Sequence, residues 1–381
     1  MITILSGYQF QVSVYLNWLI NDLSWQNYDN EKINIVSATI KSRWRANISN
    51  EIFNHKFRLT IGKPINDLYK IKRYRFLKDF DDFLLRMPPK KELKNSRLIY
   101  GLAHYSLNSF QFAKDNKLNS TLILDRACSH INTQIKTLDE EYKKFNLRFI
   151  KSKFNTKIHL DEYNIADKIV VPSNKTLDTF VKEGIPKEKL IKISLTSNFI
   201  KNTNPIKRKI VHDQEDKIIV GFLGGSFIRK GLIYLLKAWD QIDTTQSVLV
   251  LKINKNNVIW NHEVKNILRK NKNIIFLNEY IDDITEFYKS IDIFCLPSIE
   301  EGFGMSVIEA YYYNSKIICS DAVGAAELIQ NDINVELFKN RNIDDLSNKL
   351  DLFIKKGKKN NFLNLNYKIK DSSNDYIRLY K

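Results

Sequence analysis

The chain has 381 residues, is 43% hydrophobic and 12% aromatic, and carries a formal net charge of +17. That length and apolar share can fill substantial cores and point to two domains rather than one. Three cysteines (Cys128, Cys295, Cys319) are an odd number and two sit in apolar runs, which argues against a disulfide framework and for buried thiols in a reducing compartment. No CxxC or paired Cys/His spacing is present, so a structural zinc site is not expected.

In chain order, Ile2–Ser6 reads as a buried first strand that stops at Gly7. An apolar-periodic helix is expected from about Phe10 to Leu23, with Gly7 and Tyr8 in the loop between. This start lacks a basic leader and a cleavage pattern, and no apolar run approaches the roughly 20 residues of a membrane span. A cytoplasmic protein, able to touch the inner face of a membrane, is the expectation. Ile33–Ser37 suggests a second strand. Between Lys56 and Arg97 basic residues dominate. They are densest at Lys70, Lys72, Arg73, Arg75 and Lys78, interleaved with Tyr69, Tyr74 and Phe76. That mixture suits an anionic membrane surface, an anionic acceptor or single-stranded nucleic acid, or else a solvated helix face. Asp79, Asp81 and Asp82 lie inside it and read as surface charge.

Leu98–Leu102 and Ser120–Asp125 read as parallel-sheet strands joined by a helix containing Phe110 and Phe112. Lys168–Pro172 is another strand, followed by a helix that starts at Ser173 and ends at Gly184. Alternation of this kind implies a doubly wound sheet. The polar stretch 201–216 is the expected linker between an N-terminal domain (1–200) and a C-terminal one (217–365). The same pattern then restarts, with strands at Lys217–Leu223, Ser247–Ile253, Asn273–Leu277, Asp292–Leu296 and Lys316–Ser320. Residues 366–381 form a tail.

The most informative stretch follows the apolar run Ile291–Pro297. It reads Glu301-Gly-Phe-Gly-Met-Ser-Val-Ile-Glu309, two carboxylates eight positions apart. Glu301, not its neighbour Glu300, keeps that step. A helix opening near Gly304 would set the carboxylates about 10 Å apart. Its N-terminus, where free N–H groups attract phosphate, would lie between them. A ligand with hydroxyls at both ends and a phosphate in the middle fits, and a nucleotide-sugar is one. Lys230 sits where a strand turns into a helix, behind Gly224, Gly225 and Ser226, small residues that let backbone approach an anion. His130 follows the strand ending at Asp125. Cys128 is nearby, but nothing supports a Cys/His nucleophile pair.

These stretches resemble the glutamate-x7-glutamate signature and diphosphate loop of retaining GT-B glycosyltransferases of family four. Asp125–His130, Ala166–Ser173, Ile218–Leu232 and Ser320–Ile329 extend the likeness over most of the chain. It is weakest in residues 26–95 and after about 340. The resemblance implies two Rossmann-like, doubly wound α/β domains facing each other across a cleft, with a C-terminal segment crossing back onto the N-terminal domain. It implies that Glu301 contacts donor-sugar hydroxyls and that His130 faces the sugar. Backbone around Phe303, Gly304, Met305 and Ser306 would hold sugar and phosphate, and Glu309 the ribose hydroxyls. Lys230, with Arg229 and Gly225 in the same loop, would meet the diphosphate, and Gly7 and Tyr8 would lie on the acceptor side. The chain departs from the family at Gly225, where an arginine is often found, and at the single Gly7. No metal or other cofactor is implied, because helix N-termini and basic residues neutralise the diphosphate. The expected activity is transfer of a sugar from a nucleotide-sugar to a carbohydrate or lipid-linked acceptor, as in cell-surface polysaccharide or glycolipid synthesis. The alternatives are a catalytically silent relative acting as a partner subunit, and a basic nucleic-acid-binding protein. The latter leaves the glutamate pair and the Lys230 loop unexplained.

Overall fold

The computed structural model describes the strands at 2–5, 33–37 and 58–59, residues 88, 90–195, 214, 216–277 and 284–359, and residues 375, 378 and 379. Gly7, Tyr8, the helix expected at Phe10–Leu23, the cluster from Lys70 to Lys78 and Asp79–Asp82 lie outside these residues. So do most of the linker and tail.

Strands β1 (Ile2–Leu5), β2 (Ile33–Ser37), β3 (Arg58–Leu59), β4 (Leu98–Leu102), β5 (Thr121–Asp125), β6 (Lys168–Val171) and β7 (Leu190–Lys192) form one sheet in the order β3-β2-β1-β4-β5-β6-β7. All its pairs are parallel. Parallel neighbours need crossovers, and helices supply them. These are α1 (Leu107–Asp115), α2 (Ile131–Lys144), α3 (Thr156–Ile165) and α4 (Asn174–Lys182). Ser173 caps α4 by accepting from the Thr176 N–H, which is why the helix starts there.

The second sheet contains β8 (Ile218–Leu223), β9 (Ser247–Lys252), β10 (Ile274–Phe276), β11 (Ile293–Leu296), β12 (Lys316–Ser320) and β13 (Val335–Phe338), in the order β10-β9-β8-β11-β12-β13. Its helices are α5 (Leu232–Trp239), α6 (His262–Lys270), α7 (Thr285–Ser290), α8 (Met305–Tyr312) and α9 (Ile343–Lys355). Covered on both faces, its central strands are mostly apolar, and β11 and β12 are buried at every position. Helix α5 is apolar all round and buried at every residue but Lys237.

Both sheets grow outward from their first strand and then restart on its other side. Strand order therefore reverses between β1 and β4, and between β8 and β11, the position where this architecture opens a binding crevice. The two units share packing. Leu138 and Tyr142 of α2 pack in one cluster with Phe227, Leu232 and Tyr234. Another cluster joins Tyr100, Ile123 and Val170 to Phe294, Phe303 and Val307. Loops leaving the C-terminal ends of the strands meet between the sheets.

Candidate functional site

The site is built at the β8–β11 switch point. Beyond β8, the chain turns through Gly224–Gly231 into α5. Gly231 takes φ +68°, and a side-chain carbon there would strike the Pro297 carbonyl at the end of β11. The two loops are therefore packed backbone to backbone. The Ile299 N–H donates to the Arg229 carbonyl at 3.0 Å, and Asn257 donates to the Gly225 carbonyl at 2.7 Å.

This contact places Arg229 and Lys230 against Glu301. Arg229 Nη1 lies 3.0 Å from Glu301 Oε2, and Lys230 Nζ bonds the same oxygen. Ser298 Oγ is a third donor, at 3.4 Å. Burial alone would raise the Glu301 carboxyl. The charges of Arg229 and Lys230 outweigh it and hold the group below the usual carboxylate range. Its backbone is fixed as well, since the Gly324 N–H donates to the Glu301 carbonyl at 3.2 Å and the Ala325 N–H to that of Phe303 at 2.8 Å. Gly225 faces open space.

Gly304, at φ +99°, is the N-cap of α8, so Met305 and Ser306 fall in its first turn and Phe303 is buried beneath. Glu309 lies one turn further on the same helix. Its carboxylate accepts from Tyr288 on α7. Burial raises the Glu309 carboxyl, against the Tyr288 bond and the Lys230 charge. One lysine thus acts on both glutamates of the signature.

Across the cleft, β5 ends at Asp125 and the loop Arg126–His130 faces Glu300 and Gly302. His130 is the N-cap of α2, its Nδ1 accepting from the Asn132 N–H at 3.3 Å. The ring is 2% exposed and packs on Tyr163 and Phe180, with centroids 4.9 and 5.1 Å away. Burial drives its pKa down to about 4, more strongly than Glu183, 3.8 Å away, can raise it. The structure therefore brings Arg229, Lys230, Glu301, Glu309 and the α8 N-terminus together, and turns the His130 imidazole into the N-terminal core.

Three contributors carry no sequence signal that singles them out. Glu300 looked like a register ambiguity, but it is 5% exposed and bonds the other domain. Gln134 and Tyr288 lie on ordinary helices, and only the fold aims them at Glu300 and Glu309. A cavity of about 430 Å³ adjoins Arg229 and Ser226, walled on the N-terminal side by Gln134, Leu138, Tyr142 and Phe149. Among the described residues no cluster of three or more metal-ligating side chains occurs, and no helix is long and apolar enough to cross a membrane.

Residues 203–368 match the family model described as "Glycosyl transferases group 1". An uncharacterized glycosyltransferase of Haemophilus influenzae is 26% identical over 266 residues, covering 64% of this chain and 69% of that protein. The N,N'-diacetylbacillosaminyl-diphospho-undecaprenol alpha-1,3-N-acetylgalactosaminyltransferase of Campylobacter jejuni is 42% identical over 72 residues, 19% of each chain. In fold, the chain is similar to Anabaena HepE in complex with UDP, with a TM-score of 0.63 and 14% identity over 93% of this chain and 90% of that one. A glycosyltransferase from Rickettsia africae is similar at a TM-score of 0.61 and 17% identity, covering 94% and 89%. Residues 203–368 thus resemble a glycosyl transferases group 1 domain, and the chain is a glycosyltransferase with the GT-B fold.

Proposed function

We propose that the chain is a retaining enzyme that moves a sugar from a nucleoside-diphosphate sugar to a carbohydrate or lipid-linked acceptor. The observation that carries this reading is the meeting of Lys230, Arg229 and Glu301 at the switch point, with Glu301 three residues ahead of the N-cap of α8. The diphosphate competes with Glu301 for Lys230 and Arg229 and lies along the first turn of α8, whose N–H groups favour an anion. Those cations and that helix end neutralise the leaving group, so no metal is assigned a part in this mechanism. Glu301, released from its cations, accepts hydrogen bonds from the sugar hydroxyls, and Glu309 from the ribose. An acceptor hydroxyl attacks the anomeric carbon on the face the diphosphate leaves. The carbon–phosphate-oxygen bond breaks, and the hydroxyl proton passes to the departing phosphate. His130 keeps a supporting part, holding the loop opposite Glu301.

Two comparisons support the choice of ligands. A structural neighbour was solved with UDP, and a relative's name specifies a diphospho-undecaprenol-linked acceptor. The acceptor is assigned to the N-terminal side, where the cavity beside Arg229 has both polar and aromatic walls. Basic residues between Lys56 and Arg97 are proposed to bring the enzyme to the inner membrane face.

The test is a thermal-shift panel of nucleoside diphosphates followed by assays with the matching sugars. A ligand at 100 times its Kd stabilises by about 2.7 kcal/mol, enough to rank the bases. Stabilisation by at least one nucleotide, and sugar release or transfer that Glu301→Gln abolishes, are expected. Stabilisation by none would contradict the reading.

A further inference from the structure

We propose that Glu300 is a positioning residue that makes the placement of its neighbour Glu301 depend on contact between the two domains. The proposal rests on the donor-site reading above for its catalytic consequence, but its geometry stands independently.

Both carboxylate oxygens of Glu300 are engaged by the opposite domain. Oε1 accepts from the Ser129 N–H and Oε2 from Gln134 Nε2, each at 3.1 Å. Gln134 cannot turn its amide round freely, because Arg126 Nη2 donates to its Oε1 at 2.7 Å. The same guanidinium donates to the Ser129 carbonyl at 3.2 and 3.3 Å, fixing the other donor. Two donors held in place and converging on one side chain demand an acceptor at both ends, which a carboxylate meets and a carboxamide does not.

On the C-terminal side, Arg229 clamps the same two residues. Its Nη1 bonds the Glu300 carbonyl at 3.1 Å and Glu301 Oε2 at 3.0 Å, and lies 3.9 Å from Glu300 Oε2. Charges alternate from Arg126 through Glu300, Arg229 and Glu301 to Lys230 across the domain boundary. The next residue seals it. Gly302 packs so closely that a side-chain carbon would strike the Ala127 carbonyl, and its own carbonyl accepts from Ser173 at 2.7 Å and Thr176 at 3.0 Å. The sugar-contacting carboxylate is thus held from one side by its own domain. From the other it is held, through Glu300, by the domain to which the acceptor is assigned. Opening the contact loosens Glu301, so the catalytic constellation is complete only when the domains are together.

The chain carries its own reporter. Cys295 and Cys319 are fully buried within β11 and β12, whereas Cys128 is half-buried in the loop against Gly302. Its reaction with Ellman's reagent reads the domain contact with no knowledge of the donor. Charge-assisted hydrogen bonds shift an equilibrium by about 10- to 100-fold. Glu300→Gln and Gln134→Ala are therefore each expected to raise the Cys128 labelling rate by about 10-fold or more at unchanged far-UV circular dichroism, with Cys128→Ala as the blank. Because burial and then the Glu300 charge itself push the Cys128 thiol up, Gln134→Ala, which leaves that charge in place, is the deciding variant. Turnover should fall in both while nucleoside-diphosphate affinity stays within about 2-fold, and Glu300→Asp should restore part of the turnover. Parent-like labelling in Gln134→Ala overturns the proposal. So does a parent turnover in a variant whose contact has opened, or an equal loss of turnover and nucleotide affinity. If instead no nucleotide binds the parent protein, the donor-site reading fails, and the labelling rates still decide whether Glu300 holds the contact.

Discussion

Lys230 and Arg229 both bond one oxygen of Glu301, so a diphosphate reaching them must displace a carboxylate already in place. Glu301→Gln should therefore lower turnover by about 100-fold or more, as loss of a charged transition-state contact does, yet leave nucleoside-diphosphate affinity equal or raised. Titration calorimetry on the variant checks this, and weaker nucleotide binding would contradict it. His130 gives a pH test. Its folded pKa is about 4, against 6.5 in the unfolded chain, so the unfolded state takes up the proton first as pH falls. The stability it contributes is complete above about pH 6.5 and drains away toward pH 4. His130→Asn retains a capping acceptor but does not titrate. Melting temperatures of the two proteins should stay parallel above pH 6.5 and separate below it, the parent losing more. At this scale the sequence was informative where chemistry travels in a fixed local spacing, as from Glu301 to Glu309. It was silent on Glu300, Gln134 and Tyr288, whose partners are remote in sequence and are chosen by the fold.

Most strands were legible because each is a short apolar run between punctuating residues. Ile33–Ser37 and Leu98–Leu102 agree to the residue, and β5, β8 and β11 to within one at the N-terminal end. What escaped were β3, β7 and β13, two to four residues long, together with α2, α3, α6 and α9, whose polar faces dilute the apolar repeat. The contact between the β8 and β11 loops was equally hidden, although glycines marked the first of them. Gly231 combines a left-handed backbone with direct approach to the Pro297 carbonyl, whereas nothing lies within reach of a carbon added at Gly225. Gly231→Ala should cost about 3 kcal/mol or more in a denaturant titration, through strain and displacement of the β11 end. Gly225→Ala should stay within about 0.5 kcal/mol. Similar losses in both would mean that the loops are not packed as described.

At the scale of the whole molecule, +17 net charge gathers partly in the stretch from Lys56 to Arg97, outside the described residues apart from its ends. Each basic residue near an anionic leaflet contributes about 1 kcal/mol, so the cluster from Lys70 to Lys78 can hold the protein at a surface. Binding to anionic vesicles, absent with neutral ones, weakened by salt and abolished by Glu at Lys72, Arg73 and Arg75, is expected in sedimentation. Sedimentation with both kinds of vesicle or with neither would make the stretch a solvated face. The two sheets meet through the C-terminal ends of their strands, and the proposed donor centre lies at the reversal in the second. Nucleotide recognition by that centre is the claim on which the mechanism depends. Calorimetry of the best-binding nucleoside diphosphate against the parent and Lys230→Ala proteins tests it most directly. Weakening by about 1.5–3 kcal/mol with native circular dichroism is expected for loss of a charged hydrogen bond. An unchanged affinity in a folded Lys230→Ala protein would contradict it.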